Sequence, residues 1–300
     1  MPAPQANLAC VVLAHGDPTH LQRLVGALDP FPVFLHCDVR ADDSVFRAMT
    51  DGLPERARVL PRHRTGWARW ENVVAEIEGY RAALAQTDAT HLALLTGTDY
   101  PLASATEITA LLEKNRGISF SVVDPLPHPS WGQNHGYSRL RYPHWAWRKH
   151  MIRLPIPRRF PEGVVLAGAS QLKVLARHHA EAVVRAYDSS PDLVRFWRRS
   201  WVADETFVPS ILSTPRFVPD WDDASVRASL WMIDWDGTRR KSPPWLTDEV
   251  ADVVLSRSRR SWNDQRVDYV FARKFSTAES TPLLDRIDAA RADSPAKSVR

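Results

Sequence analysis

Leu8–Ala14 reads LACVVLA and runs directly into His15–Leu28, HGDPTHLQRLVGAL. An unbroken apolar run with no period-2 alternation describes a strand buried on both faces. The segment after it places Asp17 where it can cap a helix, with Pro18 at the first helical position, where a missing N–H costs nothing. The pattern recurs. Pro32–Cys37 (PVFLHC) reads as a second buried strand ending at Asp38, Arg58–Leu60 as a short third, and His91–Leu95 (HLALL) as another, ending in TGTDYPL. Trp70–Leu84 reads as an amphipathic helix with Val73, Val74, Ile77, Tyr80 and Leu84 on one face. Ala105–Glu113 is helical in pattern and Ile118–Val123 strand-like. Apolar strands alternating with helices predict an α/β fold, a mostly parallel sheet flanked by helices.

Such sheets bind ligands beyond the carboxyl ends of their strands. Here those ends carry His15-Gly16-Asp17, His36-Cys37-Asp38 and Thr96-Gly97-Thr98-Asp99. The chain has no GxGxxG and no GxxxxGK[ST], which excludes a dinucleotide fingerprint and a P-loop. Beyond about residue 125 the character changes. Pro125–Pro161 is rich in Pro, His, Trp and Arg, which suits a long substrate-facing excursion. Gly168–Tyr187 opens with GASQ and then reads as a helix, LKVLARHHAEAVVRAY; Asp204–Leu212 reads as a short helix and Leu230–Trp235 as a strand. The tail after about Ala289 reads as disordered. No internal repeat is present, and no linker is long enough to separate two independent domains.

Composition sets the bounds. The 300 residues are 44% hydrophobic and 25% charged, as in ordinary soluble globular proteins. A net charge of +4 is too balanced for a dedicated nucleic-acid binder, while a pI near 9.2 suits an anionic substrate. The two cysteines, Cys10 and Cys37, sit in apolar runs without metal-ligand spacing and read as buried free thiols. The N-terminus lacks a basic region and no apolar run is long enough to span a bilayer, so a cytoplasmic protein without a membrane span is expected. Twelve Trp residues are many for this length. Trp faces stack on sugar rings, although packing accounts for most of them.

Two segments carry the chemistry. Arg198–Leu212, RRSWVADETFVPSIL, places Glu205 at the start of an apolar, helix-like run. Asp204 reads as a helix N-cap and Glu205 either as a first-turn acid or as a general base for an attacking hydroxyl. Phe271–Phe275, FARKF, sets Arg273 and Lys274 between aromatic residues, and paired cations held against a core hold phosphate well. Arg239-Arg240-Lys241 is a second candidate clamp, and Arg139 with Arg141 a third. Asp17, Asp38 and Asp99 raise the question of a metal. No DxD stands near a strand end in the first half, and the cations offer a metal-free way to neutralise a diphosphate. Ser170 in GASQ lacks the GxSxG elbow of a hydrolase.

Eight blocks now stand in order: VVLAHGDPTHLQRLV, FLHCD, GWARWENVVAE, LALLTGTDYPL, GASQ, ADETFVPSIL, IDW…SPPWL and VFARKF…LLDRID. In these the chain, from about Ala9 to Asp288, resembles the core 2/I-branching β-1,6-N-acetylglucosaminyltransferase and peptide O-xylosyltransferase family. The resemblance implies a GT-A type glycosyltransferase fold and inverting, metal-independent transfer of a sugar, GlcNAc or xylose. The donor would be a UDP-sugar, the acceptor a carbohydrate or other hydroxyl compound, and no cofactor or metal would be needed. Residues 1–125 would form the nucleotide-sugar-binding half and 126–288 the acceptor-binding and catalytic half of one domain, with 289–300 the tail. Glu205 matches the family's catalytic-base segment and Lys274 its diphosphate-binding lysine, with Arg273 beside it. Arg240 and Lys241 are the nearest candidates for a second diphosphate-binding cation, and Arg139 falls near another basic position. His15 and Asp38 fall on the nucleotide side, Asp99 and Trp67 near the sugar or acceptor.

The family's WGG-x-S-x-V is replaced here by Trp67-Ala68-Arg69-Trp70-Glu71-Asn72-Val73. The lack of the animal enzymes' disulfides and anchor is similar to a soluble bacterial-type member. An inactive sugar- or nucleotide-binding module of the same fold is the alternative, and a Trp-rich nucleic-acid binder a distant third. Glu205 and Lys274 favour activity over the first, and charge balance speaks against the second.

Overall fold

The computed structural model describes residues 7–129, 131–147, 150–235, 242–257 and 268–293. The opening segment folds as its sequence dictates, into strand β1 (Leu8–Ala14) and helix α1 (Pro18–Ala27). Asp17 takes a left-handed conformation and its carboxylate accepts the backbone N–H of His20. Strand β2 (Val33–Cys37), helix α2 (Asp43–Thr50), strand β3 (Ala57–Val59), helix α3 (Glu71–Gln86) and strand β4 (His91–Thr96) follow. β1 pairs in parallel with β2 and β4, and β2 with β3. Next come β5 (Asp99–Pro101), α4 (Ala105–Lys114), β6 (Ser119–Phe120) and β7 (Val123–Pro125). α4 begins at a reciprocal Ser104–Glu107 capping box.

The excursion carries α5 (Ser138–Arg141) and the hairpin β8 (His144–Trp147) and β9 (His150–Arg153). The chain returns through β10 (Ala167–Ala169), paired with β7, and β11 (Lys173–Ala176). Helices α6 (Arg177–Ser189), α7 (Pro191–Trp197) and α8 (Phe207–Leu212) lead to strands β12 (Ser225–Val226) and β13 (Trp231–Ile233). Helix α9 (Ala251–Ser256), strand β14 (Phe271–Arg273) and helix α10 (Thr277–Ala292) close the described chain. The main sheet has the order β12-β6-β11-β4-β1-β2-β3, and β13-β14-β5 form a smaller one. Only β11 runs against its neighbours in the main sheet, so the fold is α/β with a mainly parallel sheet between helices.

The unbroken apolar runs follow from this layering. Cys10 and Val12 of β1 enter one core with α1 and α10, while Ala9 and Val11 enter another with α3 and α8. Gly79 lets α3 lie directly on β1, since a Cβ there would stand 2.2 Å from Val11 Cγ1. Cys10 and Cys37 are buried free thiols, and burial pushes them up to about 12 and about 11.

Two elements depart from the sequence reading. Leu172–Ala176 forms a strand approach rather than the start of a helix, because Lys173–Ala176 pairs with β4. Short apolar runs do not distinguish the two by period. Lys173 is fully buried and reaches Glu76 of α3 at 2.8 Å. The second departure is the tail. α10 continues past Ala289 to Ala292, because Arg291 donates to the carbonyls of Ala27 and Ala103 while Asp288 accepts from Arg23 and Tyr100.

Candidate active site

A cavity of about 320 Å³ opens at the carboxyl ends of β1, β2 and β4, where parallel sheets bind their ligands. His15, Asp38, Thr96 and Thr98 follow those strands into its wall, and Arg273 enters from the end of β14. The loop before α3 supplies Gly66, Trp67 and Asn72, the GASQ segment Gln171, and the turn before α8 Asp204.

Asp38 is almost wholly buried and heavily bonded. Arg40 donates Nε at 3.0 Å and Nη2 at 2.6 Å, and Thr65 donates its hydroxyl at 2.6 Å. Burial opposes ionisation, but these donors hold the carboxyl at about 2. Asp38 therefore fixes Arg40 and Thr65 on the cavity wall. Asp99 does not reach the cavity surface, contrary to its expected place beside the sugar. It is fully buried beneath, accepting from the Thr96 amide and hydroxyl at 2.8 Å each and from Trp231 Nε1 at 3.2 Å. Burial raises its pKa even though Arg273 lies 3.6 Å away. That approach is too long for a hydrogen bond, and Arg273 Nε has no hydrogen-bond partner. Gln171 Nε2 and Asp204 Oδ1 are buried and unpartnered as well. All three residues line this one cavity, and buried polar groups ordinarily find partners.

Lys274 lies outside the cavity wall. Its Nζ stands 4.2 Å from the centroid of the Trp245 ring and donates to Ser242 Oγ at 3.1 Å. Arg240 and Lys241, which precede Ser242, lie outside the described residues.

Glu205 ends a short 3-10 turn, Ala203–Glu205, that a buried frame supports. Trp197 Nε1 donates to Thr206 Oγ1 at 3.1 Å, and every residue of α8 is buried. The Glu205 side chain is 36% exposed and accepts from Arg139 Nη1 at 2.6 Å. Arg139 thus grips Glu205 instead of standing with Arg273 and Lys274, where a diphosphate role would place it. Its guanidinium lies 4.2 Å over the Trp131 ring and 6.0 Å from that of Trp201. These three residues line a second cavity of about 490 Å³ with His144 and Arg153. Gly168 makes room for Trp131, since a Cβ there would meet the indole at 2.1 Å. Trp67 of the first cavity meets Trp201 of the second edge to face, centroids 5.8 Å apart. Glu205 is not among the lining residues of either cavity, but it is next in sequence to Asp204 of the first and bonded to Arg139 of the second.

Asp204 is not the N-cap that its position in the sequence indicates. It lies inside the 3-10 turn, which the left-handed Val202 precedes, while Thr206 takes the N-cap position of α8; Asp204 is 6% exposed. Asn72 donates to its Oδ2 at 2.8 Å and also bridges the amide and carbonyl of Gly66. Burial, then the charge of Glu205, push Asp204 up to about 7. Ala68 adopts φ 62°, a left-handed conformation that costs a residue with a Cβ roughly 1–2 kcal/mol. Asn72, Gln171 and Asp204 all fall within sequence blocks that mark the site. Nothing in an amide or a cap-like Asp announces a ligand contact, and Arg40 and Trp201 carry no signal.

Fold and cavity together define an α/β protein with a polar cavity at the carboxyl edge of a mainly parallel sheet. More narrowly, the chain belongs to the Core-2/I-Branching enzyme family, whose model matches residues 9–256, and so to a family of glycosyltransferases. It is 26% identical to Xylosyltransferase 1 of Homo sapiens over 312 residues, covering 96% of this chain and 31% of that protein. It is 28% identical to Xylosyltransferase 2 of Rattus norvegicus over 209 residues, 65% of this chain and 22% of that protein. The chain thus spans less than a third of the length of these relatives. A solved structure of HddC from Yersinia pseudotuberculosis overlaps 58% of this chain and 78% of its own, with 12% identity and a TM-score of 0.29. Among the described residues, no helix is long and apolar enough to cross a membrane.

Proposed function

We propose that the chain is an inverting glycosyltransferase that moves a sugar, GlcNAc or xylose, from UDP to an acceptor hydroxyl. The observation that carries this reading is that Glu205 links a residue of each of two cavities, Asp204 by sequence and Arg139 by a 2.6 Å bond. The first is polar, lies at the strand ends and bears Arg273; it takes the nucleotide sugar. The second is walled by Trp131 and Trp201, whose faces suit a sugar ring, and it takes the acceptor. A carboxylate so placed can remove the proton of an attacking hydroxyl.

As the sugar–phosphate bond breaks, negative charge grows on the UDP oxygens. A fixed cation there stabilises the transition state more than the ground state. Arg273 is such a cation on the cavity wall, and Lys274, the next residue but outside that wall and bonded to Ser242, is the second cation this reading assigns to the diphosphate. Asp38 is taken up by Arg40 and Thr65, which supports cations rather than a metal as the diphosphate partner. Titration of UDP into Arg273→Ala and Lys274→Ala tests the reading. We expect each folded variant to bind UDP at least tenfold more weakly, the order of one charge-assisted hydrogen bond. Unchanged affinity in both would put the diphosphate elsewhere.

A further inference from the structure

We propose that His178, His179 and Asp220 form a binding site for one divalent transition-metal ion of the zinc class, remote from the sugar-transfer site. Among the described residues, these are the one group of three such side chains whose ligand atoms converge, all within 4.8 Å of one another. His178 Nε2 lies 3.0 Å from Asp220 Oδ2 and His179 Nε2 3.4 Å from Asp220 Oδ1. A tetrahedral zinc ion bonded at about 2.0–2.1 Å holds its ligand atoms roughly 3.3 Å apart, so both His–Asp separations already suit it and the remaining ligand atoms need only close from within 4.8 Å.

The fold prepares these residues. β11 is antiparallel to β4, so Ala176 lies beside His91, at the end of the sheet away from the sugar cavities. α6 starts there, and its first turn presents the two histidines with ring centroids 4.0 Å apart. Asp220 comes from the turn that feeds edge strand β12 and accepts the Ala224 amide on its own carbonyl. The His179 side chain is fully buried while those of His178 and Asp220 are about half exposed, an anchored site that solvent can still reach.

The surroundings of His179 also suit a metal. His179 Nδ1 lies 2.7 Å from Ser119 Oγ, which already accepts the Ala176 amide at 2.8 Å. With an ion on Nε2, the ring proton sits on Nδ1 and is donated to that same hydroxyl, an outer contact of the kind that orients metal-bound imidazoles. Trp221 packs 5.2 Å from the His179 ring and holds it in place. The ion would tie the start of α6 to the turn before β12, a structural role, with water completing its coordination.

Chelator-treated, untagged protein titrated with zinc chloride by calorimetry tests the site, with the visible bands of tetrahedral cobalt as a second readout. One equivalent should bind, raise the melting temperature, and be lost in the folded double variant His178→Ala/Asp220→Asn. If that variant does not fold, His178→Gln alone, changed at a half-exposed position, should weaken binding by at least roughly tenfold. No saturable binding by the parent chain, or full binding retained by the folded variant, would overturn the site.

Discussion

At the scale of residues, two neighbouring carboxylates share a turn and live in different surroundings. Glu205 is partly exposed and gripped by Arg139, whereas Asp204 is buried against Asn72. Asp204 has a folded pKa of about 7 against an ordinary 3.8, so the folded state holds its proton while the unfolded chain has released it. Its contribution to stability is therefore full below about pH 4 and is lost as pH rises through about 7. Asp204→Asn keeps an acceptor for Asn72 and removes that loss. We predict that its melting temperature, measured against the parent chain, gains between pH 5 and pH 8. The size should be of order a few kcal/mol, at 1.36 kcal/mol per unit. A difference that does not change with pH would mean that Asp204 is ionised in the fold. The sequence shows the acidic pair but cannot say which member is buried, because burial is decided by Asn72, distant in sequence. Arg139 likewise shows its charge in the sequence but not the carboxylate it holds.

At the scale of elements, most strands and helices of the first 125 residues are legible because they carry their own pattern, with side-chain caps at α1 and α4, whereas α2 and β5 are not read from the sequence. β11 is not, because its apolar run fits a helix as well, and its place is won by pairing on both sides. The Lys173–Glu76 pair joins β11 to α3 with both side chains at 0% exposure. Removing one partner leaves a charge buried alone, so Lys173→Met should cost about 3–5 kcal/mol in chemical denaturation. Lys173→Met/Glu76→Met should recover most of that, since a well-packed apolar pair replaces a buried ion pair with little loss. A single variant costing under about 1 kcal/mol would show that water reaches the pair. The C-terminal helix is a similar case: its last turn, residues 289–292, carries no large apolar side chain and is ordered by Arg291 contacts with Ala27 and Ala103, far back in the chain.

At the scale of the whole molecule, the sheet gathers strand ends that the sequence can only show one at a time. The edge cavity was readable from those polar ends, while the second cavity was not, because it depends on how the excursion after residue 125 folds over Gly168. The separation of the His178–His179–Asp220 site from both cavities makes a combined prediction. A chelator should leave the rate of sugar transfer unchanged, in an assay run well below melting, while lowering the melting temperature. Transfer that stops with chelator and returns with manganese or magnesium would refute cation-only stabilisation of the diphosphate. The most direct measurement concerns Glu205 itself: UDP-sugar binding and turnover, with a sugar acceptor or water, of parent and Glu205→Gln protein at one pH. The predicted result is unchanged binding of the nucleotide sugar with turnover lower by roughly a hundredfold to ten-thousandfold, the contribution of a positioned base. Near-parent turnover by the folded variant would contradict the assignment.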